Sequence, residues 1–300
     1  MSQYHIPVLL EESVSSLVTN PVGIYADATF GGGGHTAAIL SRLSGDGRVI
    51  AFDRDSDALS NAPADERLTL IHNNFRFIEN YARHEGVRFD GILADLGVSS
   101  HQFDTAERGF SFRYEDAALD MRMNRSAKLT ATDVVNTYAQ EDLERVLRLY
   151  GEVDNPRAMA KLITQARPVV TTGDLDRAVA KMLPKGAEHK VLAKLYQALR
   201  IEVNQEMRSL EKFLEGAAIS LRPGGRLVVI TYHSLEDRMV KNFIKTGNVD
   251  GVMRQDIYGR SSTPLEAVNR KPILPAEEEI AVNTRARSAK LRIAERRIGE

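Results

Sequence analysis

Between residues 23 and 96 the sequence alternates short apolar runs with segments of helical spacing, and this alternation limits the fold more than any other feature. Gly23-Ile24-Tyr25-Ala26-Asp27-Ala28-Thr29 reads as a strand running into a glycine loop. Residues 36–43 come next, with Ala37, Ile39, Leu40 and Leu43 on one helical face. Residues 47–53 and 68–72 read as the second and third strands, separated by a helix over 57–62 that Pro63 ends. A helix over 75–84 precedes a fourth strand at 89–96, which is apolar almost throughout. Strands of this kind, each followed by a helix, predict a parallel sheet covered on both faces.

The pattern then changes. Residues 104 to about 128 are polar, rich in Arg, Asp and Met, and carry no clear period. Residues 130–203 show only helical patterns, such as Asp142-Leu143-Glu144-Arg145-Val146-Leu147 and the stretch 177–183, before which Thr172-Gly173-Asp174 offers a cap. A strand returns at 226–232, after a turn at Arg222-Pro223-Gly224-Gly225. The simplest organisation is a doubly wound, mostly parallel α/β domain over 1–104 and 206–300, interrupted by an all-helical insertion over 105–205. The last fifty or so residues read as an acidic stretch, Glu277-Glu278-Glu279, and then a basic one with Arg285, Arg287, Lys290, Arg292, Arg296 and Arg297.

Composition narrows the functional classes. The 300 residues hold 40 Lys+Arg against 41 Asp+Glu, so the chain does not coat nucleic acid by bulk charge, although a local basic patch stays open. With 43% hydrophobic residues it can build a real core and is not disordered. No apolar run approaches the ~18 residues of a membrane span. The first residues lack a basic segment followed by a long apolar one, so no secretory signal is expected. The absence of Cys excludes disulfides and thiolate metal sites and fits a reducing cytoplasm. The His residues show no ligand spacing, so no metal is expected; His5, His72, His84 and His189 read as structural or exposed.

The loop Asp27-Ala28-Thr29-Phe30-Gly31-Gly32-Gly33-Gly34-His35-Thr36 joins the first strand to the first helix. Without Cβ atoms its backbone can turn sharply and approach a ligand. The N–H groups of the helix start point toward it. Asp53 ends the next strand roughly 20 residues on, where a carboxylate suits a ribose diol. A dinucleotide fingerprint needs a third small residue; counted from Gly31 that position is Thr36, and counted from Gly32 it is Ala37. A nicotinamide dinucleotide is thus not excluded by the glycines alone. Asp27, just before the loop, would repel a pyrophosphate but could hydrogen-bond an ammonium group. S-adenosylmethionine has that group, an adenosine and no phosphate, and the two acids together favour it. Asp27, Asp53 and Asp95 all fall at strand carboxyl ends, where ligands gather in such sheets. Phe75, after the third strand, can pack on an adenine or simply start a helix. His233 or Ser234 can start the helix after the fifth strand, with Glu236 and Asp237 favourable in its first turn; His233 would also sit at the carboxyl edge.

These residues, with others along the chain, resemble the MraW/RsmH family of S-adenosylmethionine-dependent ribosomal RNA methyltransferases. The resemblance includes His5-Ile6-Pro7-Val8-Leu9-Leu10, the loop from Asp27 to His35, Ala51-Phe52-Asp53-Arg54-Asp55 and residues 95–102. It continues through Glu107-Arg108-Gly109-Phe110-Ser111-Phe112, Leu119-Asp120-Met121-Arg122-Met123 and Tyr150-Gly151-Glu152. It ends with residues 197–204, 233–238 and 283–292. Thr284 stands where the family usually has Pro, and Tyr232 where Phe is common.

The resemblance implies a class I (Rossmann-like) methyltransferase fold and methylation of the exocyclic N4 of a cytidine in small-subunit rRNA near the decoding centre. It implies cofactor contacts from Gly33, Gly34, His35, Asp53, Phe75, Asp95 and Gln102, and a role for the helical insertion in recognising RNA. The RNA would be met in an assembled or nearly assembled subunit, with no membrane involved; the oligomeric state is open, a homodimer included.

Cytosine N4 is a poor nucleophile, because its lone pair is delocalised into the ring. An acceptor on the amino group would localise that pair and take the surplus proton. Many amino-methyltransferases place an Asp/Asn-Pro-Pro-Tyr/Phe element after the fourth strand, but this chain has Asp95-Leu96-Gly97-Val98. Asp95, or a backbone carbonyl just after it, is therefore the expected acceptor, with Ser99, Ser100 and His233 as secondary candidates for holding the base. Arg108, Arg113, Arg122 and Arg125, interleaved with Phe110, Phe112 and Tyr114, read as an RNA-facing or lid segment. The competing readings are a nicotinamide-dependent dehydrogenase on a similar sheet and a non-catalytic RNA-binding protein.

Overall fold

Seven strands build one sheet: β1 Ile24–Asp27, β2 Arg48–Asp53, β3 Leu68–His72, β4 Phe89–Asp95, β5 Leu221–Thr231, β6 Leu265–Ala267 and β7 Lys290–Arg296. The computed structural model describes residues 7–60, 62–254 and 263–298, so His5, Ile6 and Asn61 lie outside the described residues. The strand order is β3-β2-β1-β4-β5-β7-β6. The first five strands pair in parallel, and β7 runs antiparallel to both β5 and β6. This is the doubly wound, mostly parallel sheet that the alternation predicts. Its direction of winding reverses between β1 and β4, which places the glycine loop after β1 at the switch point.

The inner strands are apolar on both sides because both sides are covered. Along β5, Leu227 and Val229 enter one core while Val228 and Ile230 enter the other; along β4, Ile92 and Ala94 oppose Leu93 in the same way. Residues of the helices Ile78–His84, Glu206–Ser220 and Ser234–Thr246 complete the first core. Residues of Leu10–Leu17 and Gly34–Arg42 complete the second. Each fully buried aliphatic side chain contributes about 1.5–3 kcal/mol, so a polar substitution on either face of these strands loses that contribution and strands a polar group.

Two local expectations are corrected, and two strands are not foreseen. Arg222-Pro223-Gly224-Gly225 lies within β5 rather than ahead of it, but the register jumps from Phe89 opposite Leu221 to Gly91 opposite Arg226, so these residues bulge from the ladder. The helix expected over 57–62 is the shorter Ser56–Leu59, started by Asp55, whose carboxylate accepts from the Asp57 N–H. Strands β6 and β7 are not evident in the sequence, because the charges of Lys290-Leu291-Arg292-Ile293 hide an alternation. Leu291 and Ile293 point into the second core and Ala294 into the first.

The chain divides into two compact units, one of residues 1–97 with 207–300 and one of Val98–Glu206. The sheet belongs wholly to the first. The second holds the helices Ser100–Asp104, Ala131–Thr137, Gln140–Gly151, Pro156–Gln165, Thr172–Val179 and Glu188–Asn204, and no strand among its described residues beyond one isolated bridge, Ala118 to Thr171. Its core draws on Val134, Leu147, Met159, Leu175, Leu195 and Leu199. The cap offered by Thr172 is made instead by Thr171, which with Asp174 forms a reciprocal capping box; Thr130 and Asp133 form another. No helix among the described residues is long and apolar enough to cross a membrane.

Candidate active site

The carboxyl edge of β1, β2 and β4 gathers three aspartates around the glycine loop, and each is held differently. Asp27 is fully buried. Its Oδ1 accepts the Thr29 N–H at 3.0 Å and its Oδ2 accepts the Thr36 hydroxyl at 2.7 Å. Burial pushes this carboxyl above its ordinary range, against the charge of His35 and the hydrogen bonds from Thr36 and Thr29. The carboxylate offered by the sequence to an ammonium group therefore braces the loop from beneath. Asp53 is half-buried; its Oδ2 accepts the Gly31 N–H at 2.8 Å and its Oδ1 the Asp55 N–H at 2.8 Å. Burial raises it too, opposed first by those two amides.

Asp95 keeps a side chain that is 21% exposed, with Oδ1 accepting the Tyr232 hydroxyl at 2.8 Å and Oδ2 lying 3.9 Å from His35 Nδ1. The register explains the first contact. Asp95 pairs with Ile230, so Tyr232, two residues further along, passes the end of β4. The Asp95 amide donates to Thr29 Oγ1 at 2.7 Å. Thr29 thus joins two of the acids, giving its N–H to Asp27 and accepting from Asp95. Sequence reasoning missed both Thr29 and Tyr232, since nothing in spacing shows which loop residue will bridge two strands.

The glycines work partly against protein rather than ligand. Gly33 caps the helix Gly34–Arg42 at φ 77°, and a Cβ there would stand 2.9 Å from the Phe30 ring. At Gly34 a Cβ would strike Pro7 Cγ at 2.2 Å, so this glycine admits the N-terminal segment. His35 is buried, and its Nε2 lies 3.2 Å from the Val8 carbonyl. A carbonyl only accepts, so Nε2 carries a hydrogen, and Nδ1 is the ring atom that faces Asp95. The next residue, Leu9, donates its N–H to Glu279 Oε1 at 2.8 Å. Residues 7–9 are therefore part of the loop's framework. Phe75 is half-buried and packs edge-on against Phe213 at 5.1 Å between centroids, which supports a partly exposed ring beside the first core.

The remaining candidates make local structure. His233 starts the helix Ser234–Thr246; its Nδ1 accepts the Glu236 N–H at 3.4 Å. Its Nε2 sits 3.0 Å from Glu236 Oε1, outside hydrogen-bond geometry. In the helical unit, Ser99 accepts from the Gln102 N–H at 3.2 Å and Gln102 Oε1 accepts from the Ser99 N–H at 3.1 Å, a capping box that starts Ser100–Asp104. Gln102 is buried there, and Ser100 opens the helix.

Within 108–125, read as an RNA-facing or lid segment, Arg108 and Phe110 are buried, while Arg113 is exposed. Arg108 is 2% exposed and donates to the carbonyls of Arg122 and Met123 at 3.1 and 3.0 Å. Arg122 forms a two-pronged pair with Asp120, and Arg113 pairs with Asp104 at 3.0 Å. Phe110 is buried, and Phe112 packs edge-on to Tyr196. A coil without helix or sheet leaves carbonyls unpaired, and buried arginines satisfy them. Arg125 remains exposed. In the basic C-terminal stretch, Arg292 is buried and holds Asp237 through two bonds of 2.7 and 3.1 Å, with Lys290 3.6 Å from the same carboxylate, while Arg285, Arg287 and Arg297 stay exposed.

Comparison with known proteins adds to this geometry. The sequence model of the MraW methylase family matches residues 2–297. The chain is 55% identical over 298 residues to the ribosomal RNA small subunit methyltransferase H of Phocaeicola vulgatus, and 54% identical over 298 residues to that of Flavobacterium johnsoniae, with 98% of this chain and 98% of the relative covered in both cases. Among solved structures it is similar to an rRNA methylase from Streptococcus thermophilus, with a TM-score of 0.40 and 14% identity over 96% of this chain and 94% of that one.

Proposed function

Because the chain belongs to the MraW methylase family, we propose that it transfers a methyl group from S-adenosylmethionine to the exocyclic N4 of a cytidine in small-subunit rRNA near the decoding centre. The observation that carries this reading is the end-to-end match, at 54–55% identity, with proteins named ribosomal RNA small subunit methyltransferase H. The edge of the sheet fits the donor. It presents carboxylates at Asp53 and Asp95, suited to a diol and to cationic groups, beside a loop whose Gly31 carries no Cβ.

S-adenosylmethionine, when bound, supplies an electrophilic methyl group on a sulfonium. The protein's own work lies on the acceptor side. Asp95 would accept a hydrogen bond from the amino group, localising the nitrogen lone pair, and take the surplus proton as the C–N bond forms and the methyl–sulfur bond breaks, with S-adenosylhomocysteine leaving. Gly33, Gly34, His35, Asp53, Phe75 and Gln102 hold the donor, while Asp27 acts through the loop that it braces. Ser99, Ser100 and His233 steady the base. The target nucleotide must leave its stack to be reached.

The helical unit, with exposed Arg125, Lys128, Lys181, Lys185 and Lys190, recognises the RNA, and the substrate is an assembled or nearly assembled subunit. The test is incubation with isotope-labelled S-adenosylmethionine and small subunits lacking the modification, followed by digestion and mass spectrometry. Label in N4-methylated cytidine is expected. Label in another nucleoside, or none while the protein binds the donor, rejects the proposed acceptor.

A further inference from the structure

We infer that Tyr232 is a positioning residue for Asp95, its hydroxyl holding one carboxylate oxygen and so fixing the orientation in which the carboxylate meets the substrate. The inference rests on the acceptor role proposed for Asp95. Its basis is geometric. The Tyr232 hydroxyl donates to Asp95 Oδ1 at 2.8 Å, and Oδ2 lies on the side of His35 Nδ1, 3.9 Å away. The Asp95 backbone is tied separately, its amide donating to Thr29 at 2.7 Å. Main chain and one oxygen are thus fixed independently, which removes the rotation that would otherwise exchange the two oxygens.

The tyrosine is itself held. Its N–H donates to Glu236 Oε2 at 2.9 Å, in the first turn of Ser234–Thr246. Beside its ring, a Cβ on Gly97 would stand 3.6 Å from Cδ2, and Gly97 adopts φ 103°, a conformation open to glycine. A phenylalanine at 232 would fill the same space and leave Oδ1 without this donor.

The titratable groups facing this pair come from four elements. His35, with buried Asp27 behind it, faces Asp95, while Glu236 and Glu279 lie near the phenol. Burial, followed by the Asp95 carboxylate and these two glutamates, pushes the phenol well above its ordinary range. Its hydroxyl therefore remains a donor through the pH range in which methylation would be assayed. A donated hydrogen bond favours the ionised carboxylate, the form that can accept from an amine.

Tyr232→Phe tests this in two independent ways. The carboxyl carbon resonance of Asp95, identified as the one missing from Asp95→Asn, is followed against pH in both proteins without any ligand. Its midpoint is expected to rise by about one pH unit in Tyr232→Phe, the shift equivalent to one hydrogen bond to a charged group. Single-turnover methylation is expected to slow about tenfold in Tyr232→Phe and to show no further loss when the change is added to Asp95→Asn. An unchanged midpoint, or a loss that persists in full on the Asp95→Asn background, overturns the positioning role. A wild-type protein that binds donor but does not methylate sinks the proposed function instead, and the carboxyl titration then decides the role of Tyr232 alone.

Discussion

Asp53 accepts the amide hydrogen of Gly31 at 2.8 Å, so the acid expected to meet a ribose also closes the glycine loop that would cradle the rest of the ligand. Its other oxygen accepts from Asp55, and Asp53→Ala would leave two N–H groups without this acceptor. At about 1–3 kcal/mol for an unpaired buried donor, S-adenosylmethionine affinity should weaken by about 10- to 100-fold. Titration calorimetry reads this directly, and an unchanged Kd would show that the loop shapes itself without Asp53.

Gly34→Ala should destabilise the protein through contact with Pro7, not through backbone strain. The new Cβ would stand 2.2 Å from Pro7 Cγ, an overlap that forces the N-terminal segment away from the loop. Overpacking of this kind costs about 1–3 kcal/mol. Chemical denaturation should show the loss, and Pro7→Gly in the same chain should recover most of it. Failure of that recovery would locate the damage in the loop.

Asp176 sets a pH dependence in the helical unit. Burial pushes its carboxyl up to about 6, despite a hydrogen bond from the Tyr196 hydroxyl at 3.1 Å. The folded value lies above the ordinary one of 3.8, so the folded state binds the proton more tightly. Its contribution is therefore most favourable below about pH 4, falls as pH rises toward about 6, and is constant above that. The span is about 2–3 kcal/mol at most. Unfolding measured from pH 4 to pH 7 should lose this component of its slope in Asp176→Asn. An identical slope in the variant would remove Asp176 as its source.

The basic C-terminal stretch should divide into two functional halves. Arg292→Ala removes the two-pronged partner of Asp237, leaving only Lys290 beside that carboxylate, and should cost about 1.5–3 kcal/mol in stability. Arg287 is exposed, and Arg287→Gln should leave stability within about 0.5 kcal/mol. If this surface meets RNA, Arg287→Gln should lower the slope of log affinity against log salt by about 0.7–0.9. Filter binding across salt concentrations checks it; a slope equal to that of the wild type would place the RNA contacts elsewhere.

The sequence by itself determined the doubly wound sheet, because strands buried on both faces must be apolar on both faces, and β4 and β5 show this in a few residues each. It also placed Asp27, Asp53 and Asp95 at strand ends and the glycines at the first turn, since chain order alone sets which residues succeed each strand. Three things required the tertiary structure. Strand β7 is one, because its core residues alternate with charges whose partner, Asp237, is distant in sequence. The arginines at 108 and 122 are another; spacing records that a charge exists, not whether a carbonyl of the same coil will take it. The third is the division of labour among the acids. Asp27 faces inward and Asp95 outward because of Thr29, Thr36 and Tyr232, which come from the loop, the first helix and the end of β5. Hydrogen bonds between side chains depend on register and distance across strands, and these are properties of the folded sheet that no local pattern encodes.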